Sequence, residues 1–197
     1  MEFEPTNTRE EIMVGTYRVL ADVGFDGLTT QRVADAADCS QSLVHYHYDT
    51  KEDLVVAFLE WVREAEGDYL EGLGEGSAED RLRAFVDLQL SIPRDDEHGW
   101  FNVAFLELQT AAARNDRYRD ALREFTSMVD DVLVAVIEDG VETGEFRDVD
   151  PRATARFLRY ALHGAVGATL TLHEDATEAV RAPVEAYLEG VVLAETD

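Results

Sequence analysis

Residues 24–54, which read GFDGLTTQRVADAADCSQSLVHYHYDTKEDL, decide the fold of this chain. Thr29 precedes a short helical pattern over residues 30–37, and Ser40 precedes a second one that ends near Tyr48. Both residue types are favoured N-caps. Two short helices that follow a longer one form the helix-turn-helix arrangement, in which the second helix enters the major groove of DNA.

The residues around the two helices support this arrangement. Residues 8–23 form the predicted first helix, and Gly24 ends it. Leu28 can pack against Val33 across the start of the second helix, as a hydrophobic staple. Asp38 lies in the connection and is expected to adopt the left-handed conformation, which aspartate tolerates at some cost.

The rest of the chain also reads as helices, with no strand alternation and no internal repeat. Thr50 and Asp53 form a capping-box-like start for a fourth helix, which ends around the glycine-rich residues 72–76. Asp150 before Pro151 starts an eighth helix. The other predictions are a fifth helix over 78–92 capped by Ser77, an acidic connector at 93–99, and helices over 100–114, 117–141, 151–172 and 177–194, the last bent by Pro183.

The predicted fold class is therefore all-α, with about nine helices. Residues 1–50 are expected to form a three-helix DNA-binding domain of the helix-turn-helix type. Residues 51–197 are expected to form a C-terminal helical bundle for ligand binding and dimerisation. The helix over 51–72 connects the two domains.

The charge of the chain is unusual for such a protein. Lysine and arginine number 17 against 42 aspartates and glutamates, for a formal net charge of -25, and Lys51 is the only lysine. This composition resembles that of proteins from extreme halophiles, whose acidic surfaces stay hydrated in molar salt. The alternative is an acidic mesophilic protein that repels nucleic acid. At about 1 M salt the Debye length is only about 3 Å, so repulsion from DNA would be screened.

Residues 9–60 closely resemble the N-terminal domain of the TetR family of transcriptional regulators. The resemblance includes Gly24 after the first helix, an aromatic-rich third helix and the lysine that opens the fourth. Asp38 and Cys39 stand where the family usually has glycine and a small apolar residue, and Tyr48 replaces the usual phenylalanine. Cys39 is expected to pack as a small hydrophobe and Tyr48 to lie in the core.

The resemblance implies a ligand-responsive repressor that acts as a homodimer on a palindromic operator in double-stranded DNA. Gln41 and Ser42 lie in the first turn of the third helix, where side chains reach base edges, and glutamine can pair with adenine. Leu43 would contact a thymine methyl group. By resemblance, His45, Tyr46 and His47 contact phosphates or bases, and Lys51 anchors a phosphate. Thr29, Thr30 and Gln31 present hydroxyls, an amide and backbone N–H groups at the start of the second helix, which is a natural phosphate site.

Structural roles are the alternatives for these residues. The three rings of the third helix could instead pack against the first and fourth helices, and Lys51 could be a solvated surface lysine. His45 and His47 are two positions apart and point about 200° apart on a helix, so they cannot share a metal ion. We expect no metal and no cofactor.

The last two helices are the expected dimer surface. Small residues on the helix over 151–172 allow another helix to approach closely, and the apolar face of the helix over 177–194 has to be buried against a partner. The alternative is a core within one chain. The candidate interface residues are Ala161, Gly164, Ala165, Ala168, Val180, Val184, Tyr187, Leu188, Val191 and Val192.

An unidentified small-molecule effector is expected to bind among the fourth to eighth helices. Aromatic residues at helical spacing are more often core, so the polar members of the set are the more informative. The candidate lining residues are Trp61, Tyr69, Phe85, Gln89, Trp100, Phe101, Phe105, Gln109, Met128, Phe157, Tyr160 and His163.

Two other functions compete with this interpretation. An enzyme in a helical bundle is disfavoured, because the chain has no Glu-x-x-His pair, no nucleophile with a plausible base and no phosphate loop. A TetR-like protein that has lost DNA binding remains open, since residues 1–60 carry twelve acidic and four basic side chains. The longest uncharged apolar segment, at 161–172, is too short to span a membrane, and we expect a cytoplasmic protein.

Overall fold

The computed structural model describes residues 5–72, 76–91 and 97–194, and these form nine α-helices. The only strand-like pairing among the described residues is a single bridge between Phe146 and Leu193. The predicted all-α class is therefore confirmed. The helices are α1 (Thr8–Gly27), α2 (Thr30–Ala36), α3 (Gln41–His47), α4 (Lys51–Gly72), α5 (Ala78–Leu90), α6 (Glu97–Ala112), α7 (Asp116–Thr143), α8 (Pro151–Leu172) and α9 (Ala176–Tyr187).

Predicted caps lie at the starts of the helices that they were expected to open. Thr29 and Ser40 accept hydrogen bonds from the backbone N–H groups three residues on, at 3.3 and 3.2 Å. Ser77 forms a complete capping box with Asp80. Asp150 accepts from the N–H of Ala153 at 3.0 Å. Each cap satisfies a backbone donor that the helix itself leaves free, and this is why these boundaries can be found from the sequence.

The end of the first helix is also as predicted. Gly24 interrupts α1 with a φ of +71°, a conformation that glycine adopts without steric cost. A further turn, which ends at Gly27, follows before α2. Asp38 has a φ of +52°, so the expected left-handed turn between α2 and α3 is present.

Several predicted boundaries are wrong by a few residues. Helix α6 begins at Glu97, within the segment expected to be a connector, and residues 93–96 of that connector lie outside the described residues. The last helix was expected to continue to residue 194, but α9 ends at Tyr187 and a π-helical turn, Leu188–Val192, follows it. Arg147 donates its backbone N–H to the Val192 carbonyl at 2.8 Å, so the chain end pairs with another segment instead of extending the helix.

The chain divides into two compact units. The first unit contains Met1–Glu64 and Pro93–Phe125, and the second contains Ala65–Ile92 and Thr126–Asp197. This division falls within α4 and α7, whereas the sequence places a domain boundary after residue 50, which stays a prediction.

In the first unit, α6 packs along α1, and α2 packs against both α1 and α3. Ile12, Val33, Val44, Leu54 and Phe58 are at most 1% exposed and belong to one core. Because Val33 lies on α2 and Val44 on α3, this core fixes both helices of the pair and leaves their other faces to solvent.

In the second unit, α5, α8 and α9 pack against one another. Leu82, Leu158 and Leu188 are at most 1% exposed. Arg159 forms a bidentate ion pair with Asp130, at 2.5 and 3.2 Å, and the Asp130 side chain is only 11% exposed. Of the helices in the described residues, none combines the length and the hydropathy needed to cross a bilayer.

Candidate nucleic-acid interface

The geometry of the α2–α3 pair follows from three local contacts. Cys39 donates its backbone N–H to the Ala34 carbonyl at 2.9 Å, and its side chain lies against the core, as expected. Tyr48, at the end of α3, is 5% exposed and is therefore a core residue, as predicted. Its hydroxyl accepts a hydrogen bond from Arg9 Nε at 3.2 Å, which connects α3 to the start of α1.

The three rings of α3 lie at the surface instead of packing on α1 and α4. Tyr46 is 82% exposed, and within the described residues its ring meets the adjacent His47 edge to face, at a centroid distance of 5.3 Å. We call residues 5–53 the reading head. Its exposed candidates for DNA contact are Thr29, Gln31, Gln41, Ser42, His45, Tyr46 and His47, while Thr30, Leu43 and Lys51 are half-buried.

One hydroxyl links α2 to α3. Thr30 Oγ1 accepts a hydrogen bond from Gln41 Nε2 at 3.2 Å and lies 3.3 Å from His45 Nε2. Gln41 and His45 are four residues apart, so both lie on the same face of α3. On α2, Gln31 donates to the Asp35 carboxylate at 2.8 Å. On α3, Ser42 shares a hydrogen bond with Ser40 at 2.9 Å.

Lys51 is not a fully solvated lysine. Its Nζ donates to the Phe25 carbonyl at 2.9 Å and lies 4.5 Å from the centre of the Phe25 ring. Burial lowers the pKa of Lys51, and the nearby Asp26 carboxylate opposes that shift. The Phe25 N–H in turn donates to Glu107 on α6 at 2.7 Å. The lysine therefore holds the start of α4 against the corner between α1 and α2.

An open groove that the sequence analysis did not find lies between α1 and α2. It has a volume of about 400 Å³. Its charged residues recur at three- or four-residue spacing on each helix, a pattern that is also typical of any solvated helix face, so the sequence carries no signal for it. The lining residues are Arg18, Val19, Asp22, Val23, Arg32, Asp35 and Ala36.

The candidate effector-lining residues divide between the units. In the first unit, Trp61, Phe101, Phe105 and Gln109 are half-buried and Trp100 is 53% exposed. In the second, Phe85 is a core residue, Gln89 and Met128 are half-buried, and His163 is exposed. Phe157 and Tyr160 are 50% and 64% exposed, so they lie on the outer face of α8 and not in an interior. The side chain of Tyr69 lies outside the described residues.

Two polar groups that the sequence analysis missed lie on α4. In the first unit, Arg63 Nε is buried without a hydrogen-bond partner among the described residues. In the second unit, burial raises the pKa of Glu66. A charged residue on an amphipathic helix usually faces solvent, so nothing in the sequence distinguishes either group from its neighbours.

The candidate dimer residues fall into two groups. Ala165, Val184, Leu188 and Val192 are buried within the chain's own second unit, because α8 and α9 cover each other and α5. These four therefore fit the alternative of a core within one chain. The other candidates keep exposed surface: Gly164 and Val191 are exposed, and Ala161, Ala168, Val180 and Tyr187 are partly so.

Metal binding has no candidate site in the described part of the chain. Within it, no three histidine, cysteine, aspartate or glutamate side chains lie close enough together to hold an ion.

Known families match most of the chain. Residues 12–58 match the family model for bacterial regulatory proteins of the tetR family, and residues 78–193 match the model for the C-terminal part of BetI-type transcriptional repressors. The first match covers the α2–α3 pair, and the second covers α5 to α9. Both parts of the chain thus point to the same class of protein.

Individual relatives agree with these models. The crystal structure of a TetR transcription regulator from Haloarcula marismortui is 34% identical, covers 94% of this chain and 98% of its own, and superposes with a TM-score of 0.85. The HTH-type transcriptional repressor AcnR of Corynebacterium glutamicum is 25% identical over 169 residues, 85% of each chain. The repressor KstR2 of Rhodococcus jostii is 28% identical over 154 residues, 77% of this chain and 74% of its own. These relatives are regulators and not enzymes, and the chain belongs with them to the TetR family of DNA-binding transcriptional regulators.

Proposed function

We propose that this regulator is a homodimeric repressor that binds a palindromic operator through α3 and releases it when a small molecule binds. The observation that carries the proposal is the exposure of Tyr46, 82% of whose surface faces solvent on a helix that the core otherwise holds firmly. A large ring at that exposure contributes little to the packing of the described part of the chain. A DNA surface would cover it.

The DNA contacts divide by chemistry. Gln41, Ser42 and Leu43, in the first turn of α3, are proposed to contact base edges, where an amide can pair with adenine and an apolar group can touch a thymine methyl. The proposed contacts to phosphates or to further bases come from Thr29, Gln31, His45, Tyr46, His47 and Lys51. For Lys51 the supporting observation is that its ammonium group donates to a carbonyl oxygen and lies over a ring, with Asp26 as a nearby carboxylate.

Pairing is proposed to use the outer face of α8 and the neighbouring exposed side of α9. The support is a set of large apolar side chains that stay exposed in a single chain, among them Phe157, Tyr160 and Val191. Gly164 on the same helix leaves open space where a second helix can approach. A two-fold arrangement of this face presents two reading heads to two half-sites of a palindrome.

The effector is proposed to bind in the helical region after the reading head. In the second unit, Glu66 and Gln89 supply buried or half-buried polar groups among apolar helices. Ligand binding would lower operator affinity by favouring a conformation with a different spacing of the reading heads. Glu66→Gln should change effector affinity while operator affinity without effector stays the same, and isothermal calorimetry of both reactions tests this.

The working conditions are proposed to be molar KCl, as for a halophile, in the cytoplasm where the DNA is. The support is the net charge of -25, which would repel DNA at low ionic strength but is screened within about 3 Å at 1 M salt. Counterion release contributes little at such concentrations, so affinity should rest on base contacts and shape. Loss of operator binding as KCl rises to molar concentrations, with the fold intact, would contradict this part.

The decisive experiment is selection of genomic DNA fragments by the purified protein in molar KCl. The wild type is compared with Tyr46→Ala, which removes an exposed ring without opening the core, and with Trp100→Ala as a control for loss of an exposed ring elsewhere in the first unit. We expect the wild type and Trp100→Ala to enrich one short palindrome and Tyr46→Ala to enrich none. No enrichment by a folded wild-type dimer would favour a ligand-binding module that has lost DNA binding.

A further inference from the structure

The hydroxyl of Thr30 has two partners on α3. It accepts a hydrogen bond from Gln41 Nε2 at 3.2 Å and lies 3.3 Å from His45 Nε2. A hydroxyl has one hydrogen and two lone pairs. If one lone pair receives the amide hydrogen, the hydroxyl hydrogen is free to be donated to the imidazole. Both bonds can therefore form at once, and each partner is held in one orientation.

The bond to Gln41 decides what its amide can present to DNA. The amide has two N–H hydrogens and one carbonyl oxygen, and Thr30 takes one of the hydrogens. One donor and one acceptor remain, which match N7 and the N6 amino group of adenine in the major groove. Guanine presents two acceptors at the same edge and needs two donors. An amide that keeps only one free hydrogen is therefore poorly matched to guanine.

We propose that Thr30 is a positioning residue that sets the base preference of Gln41, and that it does so by fixing the amide for adenine. The inference rests on the proposed operator binding through α3. It differs from the expectation that Thr30 contacts a phosphate, because its hydroxyl already has partners on both sides. A phosphate contact would have to displace His45.

The neighbouring polar residues do not share this arrangement. Thr29 Oγ1 accepts from the backbone N–H of Arg32 and thereby caps α2, while Gln31 bonds within α2 to Asp35. Within the described residues, Thr30 is the side chain on α2 that bonds to the two α3 residues placed to read or flank a base. Its substitution should therefore change specificity at one position of each half-site and leave the others as they are.

The test measures operator affinity for every single base-pair change in a half-site, at one fixed KCl concentration and again across a range of KCl. The variants are Thr30→Val, which keeps the shape and removes the hydroxyl, and Thr30→Ser, which keeps the hydroxyl. Gln41→Ala and the Thr30→Val/Gln41→Ala double variant complete the cycle. Thr110→Val, at an exposed threonine of α6 in the same unit, is the matched control.

We expect Thr30→Val to reduce the preference for adenine over guanine about tenfold at a single half-site position. Thr30→Ser and Thr110→Val should keep the wild-type preference, and the double variant should discriminate no worse than Gln41→Ala alone. Uniform weakening by Thr30→Val for all sequences, with a smaller salt dependence, would identify a phosphate contact and overturn the inference. An unchanged Thr30→Val profile would also overturn it, while a wild type that selects no DNA overturns the proposed function and the inference together.

Discussion

The reading head and the second unit use their positive charges in opposite ways. In the reading head, Arg9 donates to the Tyr48 hydroxyl, Arg32 to the Gly27 carbonyl at 2.7 Å, and Lys51 to the Phe25 carbonyl. All three acceptors are uncharged. In the second unit Arg147 donates to the Gly190 carbonyl, but four other arginines form ion pairs with carboxylates: Arg81 with Asp139, Arg83 with Glu185, Arg159 with Asp130 and Arg181 with Asp87.

This difference offers a way for a chain with a net charge of -25 to bind DNA. An ion pair cancels most of the field of both partners, whereas a cation held by a carbonyl or hydroxyl oxygen keeps its full charge. The second unit uses arginine to join helices under a heavily acidic surface. In the reading head the hydrogen bonds of Arg9, Arg32 and Lys51 go to uncharged oxygens, although the carboxylates of Glu60 and Glu64 lie near Arg9 and that of Asp26 lies near Lys51. We expect these three cations to keep part of their field for an approaching phosphate. Four experiments would break or sharpen this comparison.

The largest effect is expected from Asp130→Ala in the second unit. It leaves the Arg159 guanidinium, whose side chain is 18% exposed, without its bidentate partner. Removing one partner of a largely buried pair should lower the free energy of unfolding by about 3 kcal/mol. Urea denaturation in molar KCl measures it. Asp116→Ala, which breaks an exposed pair with Arg119, is the control and should cost at most about 1 kcal/mol; equal losses would show that burial of the Arg159 pair does not matter.

A double variant, Phe157→Ala/Tyr160→Ala, should weaken the dimer next most strongly. The two side chains are 50% and 64% exposed in a single chain, so a partner can bury about half of each. Lost burial of that size corresponds to about 3 kcal/mol, or a rise of about 100-fold in the dimer dissociation constant. Sedimentation equilibrium measures it, with Tyr46→Ala as the control in the reading head. If the double variant dimerises like the wild type, the proposed face is not the interface.

In KCl well below molar concentrations, where counterion release still contributes, Lys51→Met should lower operator affinity about tenfold and reduce the salt dependence of binding by about one unit of slope. The methionine keeps much of the length of the side chain but carries no charge to a phosphate and gives up the hydrogen bond to the Phe25 carbonyl. Fluorescence anisotropy at several KCl concentrations provides both quantities. Arg119→Met, which removes a cation already paired with Asp116, should change neither. A loss of affinity with an unchanged slope would mean that Lys51 acts only through the Phe25 corner.

The smallest effects concern two matched capping carboxylates, one in each unit. The Thr50 hydroxyl lowers the pKa of Asp53, with Arg117 as a further cause, and the Ser77 hydroxyl and backbone N–H lower the pKa of Asp80. A carboxylate whose pKa is lower in the folded chain stabilises the folded state at any pH above its unfolded pKa, which is near 3.9. This stabilisation is lost as the pH falls through the pKa of the folded state.

Asp53→Asn and Asp80→Asn should therefore each lower the melting temperature slightly at pH 7, and the difference from wild type should shrink as the pH falls below about 4. Calorimetric scans across this range measure it. The hydrogen-bond pattern with the capping hydroxyl is the same in both boxes, but Asp53 also pairs with Arg117 at 2.7 Å, so its variant should show the larger difference. A pH-independent difference at either site would show that the carboxylate charge has no part in the cap.

Sequence signals of short range predicted most of the fold. Thr29, Ser40, Ser77 and Asp150 could be assigned as caps because a cap acts on an N–H only a few residues away. The end of α9 could not be predicted, because it depends on pairing with residues 145–147, some forty positions earlier. Nor could periodicity show whether an apolar helix face is covered by the chain's own core or by a second copy of the chain. Val184 and Leu188 lie in the chain's own core, although their pattern fits a dimer surface equally well.

The candidate site shows the same limit. The candidates for DNA contact on α3 are exposed, apart from the half-buried Leu43, because exposure follows from the helical period once Val44 faces the core. The link from Thr30 to Gln41 and His45 depends on how α2 crosses α3, which no local pattern encodes. The attachment of Lys51 to Phe25 was missed for the same reason: residues 26 positions apart meet at a corner.

The attachment of Lys51 to Phe25 also makes the chain a convenient object for chemical labelling. Lys51 carries the only side-chain amine among 197 residues. An acylating reagent attacks only the deprotonated amine, and the lowered pKa enlarges that fraction while the Phe25 carbonyl and ring shield it. The acylation rate at this one position therefore reports how often the corner between α1, α2 and α4 opens. A mass spectrometer could follow that opening as operator or effector is added, without any engineered probe.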